Sequence, residues 1–133
     1  MKTVFADSYY FFALAKPHDS AHAQAVAFLK TYTGAMITTG WVLTELEDGW
    51  AKPTHRAFFI PLLAKLRANP NAQIEPCTDQ LWQAGIDLYQ RRPDKEWSLT
   101  DCISVVVMQR EGITEALTGD KHFEQAGFTA LLK

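Results

Sequence analysis

Four acidic side chains, Asp7, Glu45, Asp101 and Asp120, stand where a carboxylate can do more than meet solvent. Each falls at the end of a short apolar stretch or in the first turns of the helix that follows it. Several carboxylates gathered without paired cations cost electrostatic free energy, and a divalent ion offsets that cost. Carboxylate oxygens suit Mg²⁺ or Mn²⁺. An ion so held polarises a phosphodiester oxygen, activates water and stabilises a leaving oxygen, so the chemistry open to this set is metal-assisted hydrolysis. Each acid also has a plainer reading. Ser98-Leu99-Thr100-Asp101 fits a capping box, Asp7 and Asp120 fit helix N-caps, and Glu45 fits a solvated helix surface.

The elements that must position these acids follow from periodicity and turn residues. Thr3 to Ala6 is a short β-prone run that ends in Asp7-Ser8 and passes at once into an apolar helical pattern through Tyr9, Tyr10, Phe11, Phe12 and Leu14. Pro17 to Ser20 breaks it, and Ala21 to Lys30 forms an amphipathic helix. Ala35 to Thr39 reads as a second strand, and Gly40 opens a helix through Trp50 that places Glu45 on the face of Trp41. A further helix is expected from His55 to Asn69, making with its predecessor a hairpin arm whose Phe and Leu face suits a partner. Ala72 to Glu75 is a short strand and Thr78 to Gln90 a helix. The run after Asp101, Cys102 to Met108, is almost wholly apolar, so its helix must be covered on most sides. Arg110-Glu111-Gly112 ends it. Ile113 to Thr118 is the next strand, Asp120 to Phe123 opens a short helix, and Phe128 to Leu132 is the last strand. Strands alternating with helices argue for an α/β/α sandwich around a mainly parallel sheet, which brings Asp7 and Asp120 out on one edge.

A chain of 133 residues, 47% of them hydrophobic, is long enough for one core and too short for two ordinary domains, so residues 1–133 are expected to form a single domain. The formal charge is −2 and the pI near 6.0, which excludes a general basic field for nucleic acid or membrane; a polyanion must be met locally or through metal. Two cysteines, Cys77 and Cys102, make neither a zinc site nor a disulfide framework, and no apolar stretch approaches membrane-spanning length, so a cytoplasmic location is expected. His18 and His22 are four apart, but Pro17 puts His18 in a turn and no third ligand is near; the pair is set aside as a metal site. Arg91, Arg92 and Lys95, with Trp97, form a charged loop leading into Ser98 that suits phosphate or a base, or is simply solvated.

In order and approximate spacing, Val4-Phe5-Ala6-Asp7-Ser8, Ile37-Thr38-Thr39-Gly40-Trp41-Val42-Leu43-Thr44-Glu45-Leu46, Leu99-Thr100-Asp101-Cys102 and Leu117-Thr118-Gly119-Asp120-Lys121-His122-Phe123 resemble the four acidic blocks of the PIN-domain ribonucleases. Within that family the chain is similar to the small VapC-like toxins of toxin-antitoxin systems. The resemblance implies a PIN-like α/β/α fold, a Mg²⁺- or Mn²⁺-dependent endoribonuclease, a homodimer and a cognate antitoxin that binds in a groove near the active site. It makes Asp7, Asp101 and Asp120 metal ligands, directly or through water, with Glu45 completing the site and orienting the attacking water. Ser8 and Thr100 would steady the acids or touch phosphate. Cys102 stands where the family often has Ala, and Trp41 and Tyr9-Tyr10 are less usual; none of these removes an acid. The alternatives are a PIN-fold RNA-processing or decay nuclease outside a toxin system, and a non-catalytic RNA- or protein-binding module of the same fold. A phospho-acceptor receiver domain also places acids at strand ends, but Thr38-Thr39 stand where it would need Asp.

Overall fold

The computed structural model describes residues 2–133. Five strands, β1 (Thr3–Ala6), β2 (Ala35–Thr39), β3 (Ala72–Glu75), β4 (Glu115–Leu117) and β5 (Thr129–Ala130), form one sheet in the order β3-β2-β1-β4-β5, with every pairing parallel. Parallel neighbours need crossovers, and seven helices supply them: α1 (Ser8–Ala15), α2 (His22–Thr31), α3 (Gly40–Gly49), α4 (Phe59–Ala68), α5 (Asp79–Arg91), α6 (Leu99–Glu111) and α7 (Lys121–Gln125). The chain steps outward from β1 through β2 to β3, then returns across to β4 on the other side of β1. The order therefore reverses between β1 and β4, and it is at such a point, beyond the carboxyl ends of the strands, that open parallel sheets leave a crevice for ligands.

The core explains the rigidity of that edge. Val4, Phe5 and Ala6 of the central strand are fully buried, as are Cys102, Ile103 and Met108 of α6, while α5 lies along α6 with Gly85 against Ile103. Helix α6 is apolar around most of its circumference because α5, α3 and α7 pack around it. Gly112, at φ 66°, adopts the left-handed conformation that closes this helix, and the Ile113 N–H turns back to the Met108 carbonyl at 2.9 Å.

The expected elements are present with three adjustments. β4 begins at Glu115, since Ile113 belongs to the exit of α6, and it ends at Leu117, because the Thr118 N–H turns back to the Ala116 carbonyl at 3.0 Å. β5 is only Thr129–Ala130, since the Phe128 N–H is taken by the Phe123 carbonyl. The helix expected from His55 starts at Phe59, after a 3-10 turn over Arg56–Phe58. Pro61 accounts for this: a helix continuous from His55 would lose an interior hydrogen bond there, whereas in the first turn of α4 the missing N–H costs nothing. The projecting arm is not formed. α4 packs on β3 and α3 packs on α1 and α6, so both helices lie on the body of the fold. Among the described residues, no helix is long and apolar enough to cross a membrane.

Candidate active site

Asp7 follows the last residue of β1 and holds the N-cap position of α1, yet its side chain makes no capping bond. One of its oxygens, Oδ2, instead accepts the Thr118 hydroxyl at 2.9 Å, from the end of β4. Asp7 is 5% exposed. Its carboxyl is pushed up to about 7: removal from water is the main cause, the negative charges of Asp101 and Glu45 add to it, and the Thr118 hydroxyl and the Ser8 backbone oppose it. The simple capping reading therefore fails at Asp7, because the backbone presents the side chain to a neighbouring strand. Alongside, the Thr38 hydroxyl donates to the Ala6 carbonyl at 2.8 Å and ties the end of β2 to the end of β1.

Glu45 reaches the same edge from the second turn of α3, a helix whose start is fixed by the Thr39 hydroxyl accepting the Val42 N–H at 3.1 Å. The Ser8 hydroxyl donates to Glu45 Oε1 at 2.5 Å, so the first residue of α1 steadies an acid of α3. Asp101 and Asp120 both take part in helix starts, Asp101 as the partner of the N-cap Ser98 and Asp120 as an N-cap itself. Ser98 and Asp101 form the full capping box: the Asp101 N–H donates to Ser98 Oγ at 3.0 Å and the Ser98 N–H to Asp101 Oδ2 at 3.1 Å. Asp120 Oδ1 accepts the His122 N–H at 3.0 Å and starts α7, while its own N–H donates to the Thr118 hydroxyl oxygen at 3.0 Å. Thr118, fully buried, thus links Asp7 to the backbone of Asp120.

Two side chains that sequence reasoning did not single out serve the acids, Thr118 and His122. His122 Nδ1 lies 2.9 Å from Asp101 Oδ2 and 3.4 Å from Asp120 Oδ1. Asp101, Asp120 and His122 each offer an atom to a group in which all three lie within 4.8 Å of one another. Among the described residues, no Lys or Arg pairs with Asp7, Glu45, Asp101 or Asp120; the lysine and arginine ion pairs lie elsewhere, at Glu115, Asp94 and Glu124. A set of carboxylates brought together with no Lys or Arg partner, one of them driven up in pKa chiefly by burial and further by its acidic neighbours, is a donor set that fits a hard divalent cation.

The remaining expected residues divide. Ser8 joins the cluster as described, but the Thr100 hydroxyl makes no hydrogen bond; only its carbonyl is used, by the Ser104 hydroxyl at 2.9 Å. In the loop before α6, Arg92 is committed to Asp94 through two 3.0 Å bonds and lies over the Trp97 ring at 5.1 Å, and Lys95 sits 3.9 Å from Asp94. Arg91 makes no ion pair among the described residues. Trp97 is buried rather than offered for stacking, and its Nε1–H donates to Gln125 Oε1 at 3.0 Å. His18 is exposed in its turn, and His22 Nδ1 is hydrogen-bonded to the Ala13 carbonyl at 2.8 Å.

An all-parallel five-stranded sheet with carboxylates converging at its switch point defines a class, and the chain belongs to the PIN domain family, whose pattern matches residues 4–129. Among curated relatives, it is 27% identical over 129 residues to the 23S rRNA-specific endonuclease VapC20 of Mycobacterium tuberculosis, covering 94% of this chain and 95% of the relative. The crystal structure of that protein, described as a Sarcin-Ricin loop cleaving toxin, superposes with a TM-score of 0.85 at 25% identity, over 95% of this chain and 96% of the other. FitAcB from Neisseria gonorrhoeae shares the fold, with a TM-score of 0.66 at 15% identity, over 96% and 95% of the two chains.

Proposed function

We propose that this protein is a Mg²⁺- or Mn²⁺-dependent endoribonuclease and the toxin of a toxin-antitoxin pair, acting on RNA in the cytoplasm. The observation that carries the proposal is the convergence of Asp7, Glu45, Asp101 and Asp120 at the carboxyl edge of β1 and β4 with no Lys or Arg among them. Asp7, Asp101 and Asp120 hold the cation, directly or through water, with Glu45 completing the set. When bound, the cation supplies Lewis-acid polarisation of a phosphate oxygen and neutralises charge on the leaving oxygen. The protein's own part is orientation. Thr118 fixes one oxygen of Asp7, Ser8 one oxygen of Glu45, and the Ser98 N–H one oxygen of Asp101, so the second oxygen of each is available. The second oxygen of Glu45 orients the attacking water and accepts its proton. Thr100, Arg91 and Lys95 meet the flanking phosphates in this reading, with Arg92 holding the loop before α6 through Asp94 and Trp97.

The similarity to VapC20 makes ribosomal RNA, and its sarcin-ricin loop in particular, the first substrate to test. A homodimer and an antitoxin complete the reading. Support comes from an apolar groove of about 470 Å³ between α1, α2 and α4, lined by Leu14, Val26, Leu29, Phe58 and Leu62, and from the exposure of Leu29, Phe58 and Ile60. The decisive experiment is RNA cleavage by metal-free protein before and after addition of Mg²⁺ or Mn²⁺, with Asp101→Asn as control. Cleavage is expected only with metal and is expected to vanish in a folded Asp101→Asn. Cleavage by that variant equal to the parent's at matched metal refutes the mechanism.

A further inference from the structure

We propose that His122 is a positioning residue of this site: its Nδ1–H locks the Asp101 carboxylate against α7, and it does so without being a metal ligand. The inference rests on the nuclease reading above and extends it to a residue outside the acidic set. The geometry is built from both sides. The main-chain N–H of His122 donates to Asp120 Oδ1 at 3.0 Å, while its ring turns back to Asp101 Oδ2 at 2.9 Å. One residue therefore grips two acids that lie 19 positions apart in the chain, one with its backbone and one with its side chain.

Which ring nitrogen carries a proton follows from the partner. An ionised carboxylate only accepts, so Nδ1 must be the donor. The oxygen it meets is the same Oδ2 that accepts the Ser98 N–H at 3.1 Å, so this oxygen is already saturated with donors, and Asp101 has Oδ1 left for a cation. Likewise Asp120 spends Oδ1 on the His122 N–H and keeps Oδ2. Nδ1 faces the committed oxygens of both acids, which is where an orienting donor belongs and where a ligand nitrogen would compete with existing hydrogen bonds. A second contact shows that this end of the fold is clamped on purpose. The Trp97 Nε1–H reaches Gln125 Oε1 at 3.0 Å, so α7 is tied to the start of α6 at both of its ends. Phe123, buried between these ties at 6.3 Å from Phe5, seats α7 on the central strand.

A donor that orients a metal-binding carboxylate is worth about 10- to 100-fold in metal affinity. Substitutions separate the roles by atom position. In His122→Asn the amide nitrogen falls near the place of Nδ1; in His122→Gln it reaches toward Nε2; His122→Ala removes both. All three are checked for folding by circular dichroism. Mn²⁺ affinity, titrated by electron paramagnetic resonance, is expected to stay within about threefold of the parent in His122→Asn and to fall about 10-fold or more in His122→Gln and His122→Ala. Nitrogen-15 spectra of metal-free protein at pH 8 are expected to show a protonated His122 Nδ1 whose shift moves in Asp101→Asn. Pulsed resonance of the Mn²⁺-loaded parent is expected to show no directly bound imidazole nitrogen. The proposal is overturned by an unprotonated Nδ1, by bound nitrogen on Mn²⁺, or by His122→Gln binding as tightly as the parent. A parent that binds Mn²⁺ with this variant pattern but leaves RNA intact overturns the nuclease reading and not the role of His122.

Discussion

Asp7 is a buried carboxylate with no Lys or Arg partner among the described residues, and the substitution Asp7→Asn isolates the electrostatic cost of that burial. An aspartate free in the unfolded chain titrates near 3.8, whereas burial and the charges of Asp101 and Glu45 raise it to about 7 in the folded protein. With the folded value above the unfolded one, the native state binds the extra proton between these limits. Stability is therefore fully present below about pH 4 as far as Asp7 is concerned, and it is lost as pH rises through 7. The gap of about three units sets a ceiling of about 4 kcal/mol, at 1.36 kcal/mol per unit. With an unfolding entropy of about 2 cal/mol/K per residue, a chain this long converts that ceiling into a melting shift of roughly 10–15 °C. The assay is thermal unfolding in chelator at pH 5, 6, 7 and 8. Subtracting Asp7→Asn from the parent removes the titration of every other group, and the difference is expected to move in the variant's favour by up to about 10 °C between pH 5 and 8. Saturating Mg²⁺ at pH 8 is expected to restore the parent far more than the variant, since a bound cation replaces the proton. Parallel pH profiles, or an Asp7→Asn less stable than the parent at pH 8 in chelator, would refute the argument that an uncompensated charge is buried there.

Two further substitutions test the scaffold around the acids. Thr118→Val keeps volume but leaves Asp7 without its hydroxyl donor and the Asp120 N–H without its acceptor, so a loss of about 1–3 kcal/mol is expected in urea unfolding, with recovery in Thr118→Ser. Gly85→Ala gains about 1 kcal/mol of helix propensity, but its Cβ would stand 2.3 Å from Ile103 Cγ1 where α5 packs on α6. Because Ile103 is fully buried and cannot swing out, overpacking of about 1–3 kcal/mol is expected to win, read as a lower unfolding midpoint.

The alternation of strands and helices was legible because a parallel sheet needs crossovers, and the apolar run of α6 announced a helix covered on most sides. Element ends were less so. The retreat of β4 from Ile113 depends on the left-handed Gly112 sending the Ile113 N–H back into α6, and the late start of α4 depends on how a 3-10 turn accommodates Pro61. Both are choices of hydrogen-bond partner that spacing does not reveal. The acids show the same limit more sharply. The sequence offered one capping account for Asp7, Asp101 and Asp120. It holds for the last two and fails for Asp7, because only the register of β1 with β4 brings Thr118 within 2.9 Å. His122 carried no usable signal. Its partner Asp101 is 21 positions earlier, and a His in the first turn of a short helix is ordinarily a surface residue.

The helix-start roles of Asp101 and Asp120 leave room for the ligand roles proposed for them, because a carboxylate has two oxygens. In each of the four acids a protein donor takes one: Ser98 N–H with His122 at Asp101, His122 N–H at Asp120, the Ser8 hydroxyl at Glu45, the Thr118 hydroxyl at Asp7. These donors lower the cost of holding like charges together before any cation arrives, and they fix the carboxylate planes so that little ordering is left for binding to impose. The helix starts are thus part of the site's construction, since the first free N–H groups of α6 and α7 are donors the backbone must satisfy in any case. Asp7 is the exception that gives the set its chemistry. It is the most buried of the four, and its donors, the Thr118 hydroxyl and the Ser8 backbone, are neutral and outweighed by burial, so the charge left uncompensated is greatest there. On the proposed metal-dependent reading, a cation would be drawn most strongly to that point, so Asp7→Asn is expected to weaken metal binding while making the metal-free fold more stable at pH 8.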